Sequence, residues 1–166
     1  GPSSSHTVGP MVAAQRFLSL AADASLPRTG HLTVTLHGSL AFTGKGHGTD
    51  CAVILGLAGE KPSTMDPDRV DDVLRQMAER GSVAVGDDFT VAFNPARDVI
   101  FDFGPALKGH ANGMVFRILD DDNNTLLGET YFSIGGGFVQ TEAERADSVA
   151  TSKTEKPSVE VPYPFR

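Results

Sequence analysis

Two short stretches carry the residue types that could do chemistry. The first runs from Gly1 to Met11, GPSSSHTVGPM, with Ser3, Ser4, Ser5, His6 and Thr7 in succession. Hydroxyls and one imidazole stand just ahead of Pro10, which opens an apolar-periodic segment. Ser and Thr in that place are helix caps, and Pro is favoured in a first helical turn. A helix start of this kind presents N–H groups and hydroxyls to an anion such as a carboxylate or a phosphate. An ordinary cap on a frayed terminus would use the same residues, and both readings stand at this point.

The second stretch is Gly38–Asp50, GSLAFTGKGHGTD, where Gly44, Gly46 and Gly48 alternate with Lys45 and His47. The glycines allow close approach of the backbone to a ligand. Lys45 and His47 would turn a cation and a titratable ring into that space. A P-loop needs a Gly five places before Gly44, where Ser39 stands, and a Ser or Thr after Lys45, where Gly46 stands. The plain alternative is a flexible turn with a helix cap at Thr49 or Asp50. His31 and His37 share one face of an alternating segment and invite a metal reading, but no third ligand lies nearby in sequence. His110–Met114, HANGM, contains an Asn-Gly turn signal at Asn112-Gly113.

These groups need elements to hold them. Residues 10–24 predict a helix, with Met11, Ala14, Phe17, Leu18 and Ala21 on one face. His31–Ser39 alternates and is β-branched, which predicts a strand with Leu32, Val34 and Leu36 on its apolar side. Gly38–Asp50 is expected to be a glycine-rich loop leading into a second helix at Ala52–Ala58. Asp66–Arg80 predicts a helix with Asp66 as cap, Pro67 first, and Gly81 as its stop. From Ser82 the texture becomes strands: Val83–Val85, Phe89–Phe93 and Val99–Phe103, punctuated by Asp87-Asp88 and Asn94-Pro95. Met114–Leu119 and Leu126–Ile134 read as a hairpin across Asp120–Asn124, followed by Gly135-Gly136-Gly137. That glycine run is either a hinge or a place with no room for side chains. After Val139 the chain turns polar and ends in the Pro-rich Val159–Phe165, so residues 140–166 are expected to form a linker.

A chain of 166 residues is long enough for one domain with a substantial core. Its net charge of −7 argues against nucleic acid or an anionic membrane as partner. No apolar run is long enough to span a bilayer. One cysteine, Cys51, excludes an internal disulfide and a cluster held by this chain's cysteines alone. A cytoplasmic location is the expectation that follows. The fold expected is mixed α/β (α+β), a sheet with helices packed against it.

GPSSSHTVGPM, GSLAFTGKGHGTD, HANGM and GETYFSIGGGFV, in this order and spacing, resemble the β domain of bacterial iron–sulfur L-serine dehydratase (L-serine ammonia-lyase). In the single-chain form that domain is the N-terminal region, and the resemblance covers Gly1 to about Val139. It implies conversion of L-serine to pyruvate and ammonia. It also implies a 4Fe–4S cluster held by the cysteines of a further domain, for which Cys51 is no match. A strand ahead of Gly1 is usual in the family, and a homodimer is compatible with it.

The resemblance makes His6 and His47 the imidazoles of an active site, one a base and the other a binder, without saying which is which. Ser3, Ser4, Ser5 and Thr7 would hold the substrate carboxylate, with Lys45 and Gly46 beside it and Asp50 orienting His47. His110, Asn112 and Gly113 form a different candidate. The family's β domain resembles an effector-binding domain of some bacterial D-3-phosphoglycerate dehydrogenases, so this turn could sense a ligand. A serine-binding regulatory domain with no catalysis of its own is therefore the rival expectation, and a plain turn explains Asn112-Gly113 equally well.

Overall fold

The apolar stripe that begins at Met11 folds as its spacing predicts. In the computed structural model, which describes residues 7–24, 26, 30–44, 48–86, 89–106, 110–135 and 137–146, helix α1 spans Val8–Asp23 and buries Met11, Ala14, Phe17 and Ala21. Strand β1, His31–His37, follows. Its Leu32, Val34 and Leu36 have no exposed surface. Burial of such side chains contributes about 1.5–3 kcal/mol each. Thr33 and Thr35, expected on a polar face, are buried as well. The reason is position: β1 is the centre of the sheet and has neighbours along both edges.

Those neighbours come from far along the chain. Strand β5, Gly113–Leu119, runs antiparallel to β1 and pairs Leu32 with Ile118, Val34 with Phe116 and Leu36 with Met114. On the other edge lie β3, Phe89–Ala92, and β4, Val99–Asp102, both parallel to β1. Between them sits α5, one helical turn at Pro95–Asp98 where only a break was expected. Asn94 caps that turn, its Oδ1 accepting from the Ala96 N–H at 3.0 Å, and Pro95 takes the first position. The buried Asp98 carboxylate closes it by accepting from the Asn94 N–H and from Arg97. Strand β2, Ser82–Val85, pairs with β3, and β6, Thr125–Gly135, pairs with β5 as the predicted hairpin. Strand β7, Phe138–Thr141, completes a seven-stranded mixed sheet of order β2-β3-β1-β5-β6-β7, with β4 also on β1. The α+β expectation stands.

Three further helices pack around α1 and the sheet. Residues Ser39–Gly44, read from sequence as loop, form the short helix α2. Helix α3 is Thr49–Leu57, and its cap is neither Thr49 nor Asp50 but Gly48, at φ +109°. Helix α3 lies directly against α1 because residue 56 is glycine. A Cβ there would stand 2.6 Å from the Met11 carbonyl oxygen and 2.8 Å from Ala14 Cβ. The predicted third helix begins with a 3-10 turn, Pro67–Arg69, with the Asp66 carboxylate accepting the Asp68 N–H. It continues as α4, Val70–Arg80, and stops at Gly81, whose N–H donates to the Met77 carbonyl. Phe17 of α1 stacks on Phe116 of β5 with ring centroids 5.4 Å apart.

The segment expected to be a linker starts as structure. Strand β7 runs to Thr141, and residues 142–146 are helical. The Thr141 N–H donates to Glu144 Oε1 while Thr141 Oγ1 accepts the Glu144 N–H, a reciprocal capping box. Arg16 of α1 binds this end, donating to the Val139 carbonyl and pairing with Glu144 at 3.2 Å. Residues 147–166 lie outside the described residues.

Candidate active site

Strand direction gathers the motifs at one end of the sheet. Strands β1 and β4 finish there, at His37 and Asp102, because they are parallel and in register. Strand β5 begins there at Gly113, and β6 arrives there antiparallel to it, pairing Phe132 with Gly113. Strands β6 and β7 meet at that end, where Gly135 pairs with Phe138. The start of α1 is there too, since a Cβ on Gly137 would lie 3.0 Å from Val8 Cγ1. So is the start of α3: a Cβ on Gly48 would lie 3.4 Å from Thr7 Cγ2. Thr7 of the first motif and Gly48 of the second, 41 positions apart in sequence, therefore meet where two helices begin.

Seven expected site residues, Ser3, Ser4, Ser5, His6, Lys45, Gly46 and His47, lie outside the described residues. Thr7 holds the N-cap position of α1, but its side chain makes no cap bond to the helix. Gly48 likewise brings no side chain to the α3 start. The two helix ends thus direct partial positive charge at one place, with no capping side chain from Thr7 or Gly48 set against it. Asp50 accepts the Cys51 N–H at 2.9 Å. Thr49 is fully buried, and its Oγ1 has no hydrogen-bond partner.

The His110–Gly113 turn is not a hairpin between neighbouring strands; it leads into β5 and is latched on two sides. Ser39, first residue of α2, donates its N–H to the Ala111 carbonyl at 2.7 Å and its hydroxyl to Asn112 Oδ1 at 2.5 Å. Asn112 Nδ2 donates to the Ser133 carbonyl of β6, and the Ser133 N–H donates to the Asn112 carbonyl. Gly38 makes room for the turn, adopting φ +60° beneath Ala111. Ser133 itself is fully buried with an unpartnered hydroxyl. Sequence reading passed over both Ser39 and Ser133. A serine within an alternating strand looks like an outward position, and only burial marks Ser133.

His110 is half-buried, its Nδ1 accepting the Asn112 N–H at 3.0 Å and its ring 5.2 Å from that of Phe132. Burial, with Arg145 adding to it, lowers its pKa below the ordinary 6.5. The neutral ring is the form that accepts the Asn112 N–H. Since the folded state binds the proton less well than the unfolded chain, His110 adds stability above pH 6.5 that is lost as pH falls toward its lower folded value. Urea melts across pH 5–7.5 should show this slope, and His110→Gln should flatten it. An unchanged slope in the variant would remove the assignment.

His37 ends β1 with Nδ1 3.6 Å from Asp102 Oδ2. Burial lowers its pKa against the opposing pull of Asp102, and Arg117 lowers it further. His31 stands at the other end of the strand, about 20 Å away at ~3.3 Å per residue, so the two histidines cannot share an ion. Among the described residues no group of three His, Cys, Asp or Glu side chains is placed to hold a metal. The Cys51 thiol is pushed up by burial and by Asp50, which is the wrong direction for a thiolate ligand. Two clefts of about 460 and 560 Å³ open elsewhere, at Val12, Gln15 and Lys61 and at His31, Arg97 and Asp98. Neither is lined by the motifs above.

Comparison with known proteins bears on this arrangement. Residues 1–144 match the family described as serine dehydratase beta chain. The whole chain is 40% identical to an L-serine dehydratase of Streptomyces coelicolor, covering 36% of that protein. It is 40% identical to one of Haemophilus influenzae and 39% identical to L-serine dehydratase 1 of Escherichia coli, covering 35% of each. The chain thus spans about a third of the length of the curated relatives it matches.

Proposed function

Because the chain belongs to the serine dehydratase beta chain family, we propose that it is the substrate-holding part of an L-serine ammonia-lyase, making pyruvate and ammonia from L-serine. One observation carries the reading: Thr7 and Gly48 meet at the starts of α1 and α3. His6 precedes Thr7 and His47 precedes Gly48 in sequence, so one small amino acid can be reached from both motifs.

The substrate carboxylate binds Ser3, Ser4, Ser5 and Thr7 and the N–H groups of the helix start. Lys45 adds a cation to it, and the backbone at Gly46 approaches closely because no side chain intervenes. One imidazole of the His6–His47 pair takes the Cα proton and the other binds. Asp50 orients His47. Loss of the proton and of the β-hydroxide gives aminoacrylate, which tautomerises to the imine and hydrolyses. A 4Fe–4S cluster, when bound by the rest of the protein, supplies the Lewis acid for hydroxide departure. This chain's own part is to position the substrate and to hold and release the proton. Among the described residues no helix is long and apolar enough to cross a membrane, and a cytoplasmic setting belongs to the same proposal.

A second reading rests on the latched turn at His110, Asn112 and Gly113, which a serine-sensing effector domain would use. Anaerobic assay of the full-length protein separates the two. Equimolar pyruvate and ammonia from L-serine is the expected result. Saturable serine binding without product would favour the sensor.

A further inference from the structure

Among the described residues the exposed large apolar side chains are Leu20, Phe42, Ile100, Phe103, Ile134 and Phe138. Four of the six belong to the end of the sheet that carries the candidate site. Phe42 lies on α2, one turn beyond Ser39, and Phe103 directly follows β4. Ile134 and Phe138 flank the turn from β6 to β7. Their exposures are 64%, 55%, 46% and 70%. Phe42 and Phe103 meet edge to face at 5.2 Å, and Phe103 stacks at 6.4 Å on Phe101. The two pairs stand on either side of β1 and β5, roughly 14 Å apart at ~4.8 Å per strand. The polar groups of Ser39, Asn112 and Ser133 lie between them.

Together the four side chains leave on the order of 400 Å² of apolar surface in water, the size of the largest apolar patch on a typical monomer, which is often functional. Strand β4 adds a second feature, since among the described residues it pairs with β1 alone and its other backbone edge is unfilled.

We propose that Phe42, Phe103, Ile134 and Phe138 form the seat on which the rest of the full-length protein docks. The occupant follows from two facts. The relatives carry about twice as much further chain as the region matched here. The four side chains also lie at the end of the sheet where α1 and α3 begin, so a body seated on them stands beside the candidate site and can exclude water from it. A second copy of this same region placed there would close the site and bring no new chemistry. The proposal rests on the lyase reading only in expecting the missing chemistry in that body.

The test is photo-cross-linking in the full-length protein, with p-benzoylphenylalanine placed at Phe103, at Phe138 and, as control, at Leu20. The expected result is links from positions 103 and 138 to peptides outside residues 1–166, and none from position 20. Links from 103 and 138 to residues 1–166 of a second copy, with none to peptides outside those residues, would overturn the proposal. Absence of any link from either would do the same. The readout is a contact and not turnover. A protein inactive on serine that still forms these links would therefore sink the lyase reading alone.

Discussion

Of His6→Ala and His47→Ala in the full-length protein, the one that removes the proton-transfer group is expected to lower kcat on L-serine by about 10²–10⁴-fold, the usual worth of such a group. The other is expected to fall in the same range if its imidazole shares the proton work, and to show mainly as a raised KM if it binds. The fold should be indifferent to both changes. Gly48 holds the N-cap position of α3 and Thr7 that of α1, so neither substitution changes a capping residue of a described helix. Steady-state rates of pyruvate formation, with far-UV circular dichroism as the folding control, measure the effect. Near-normal turnover in both variants would remove the imidazoles from the mechanism. An effect confined to KM in both would leave the pair as binders and require a base from elsewhere.

Gly38→Ala carries the larger structural penalty. A Cβ at this position would stand 2.2 Å from the Ala111 carbonyl oxygen and 2.9 Å from its carbon, with φ at +60°. Left-handed backbone costs an L-residue about 1–2 kcal/mol, and forcing atoms into packed structure another ~1–3 kcal/mol. The obstacle is backbone, so it cannot rotate away. The same movement would pull Ser39 from Ala111 and Asn112 and loosen the latch that joins α2 to β6. A fall in Tm of roughly 5–15 °C is expected. Gly59→Ala is the control, for Gly59 also has a positive φ, +96°, but nothing lies within 4 Å of its Cβ direction. If the two variants melt together, backbone strain alone explains Gly38 and the close approach to Ala111 carries no energy.

The local pieces of this fold could be read from residue spacing, and the errors have local causes. The stripe from Met11 to Ala21, the Asp66-Pro67 start and the Gly81 stop each obeyed a rule acting within a few residues. Helix α2 was hidden because Gly38 and Gly44 bracket only five ordinary residues, with Gly46 just beyond, which look like loop. Helix α5 was hidden because Asn-Pro serves both as turn punctuation and as a cap followed by a first helical residue. Burial of Thr33 and Thr35 could not be read at all, since it depends on β4 and β5 arriving from more than 60 residues away. The site shows the same division. Motif composition named the histidines and the glycine loop, and the resemblance gave their roles. That Ser133 and Thr49 carry unsatisfied hydroxyls is a property of what surrounds them.

The long-range pairing of β1 also sets a schedule for synthesis. Leu32 waits for Ile118 and Val34 for Val99 before either edge of the strand is filled. At ~5–20 residues per second, the ribosome needs about 4–17 s to deliver β5 after β1 has been made. During that interval the nascent chain holds an apolar β-forming segment with both edges open, and any matching strand on a neighbouring chain can take the place of the native one. Contacts this distant in sequence also make folding slow once the chain is released. Misassembly during synthesis is therefore expected to start at β1, the segment left longest without its partner strand.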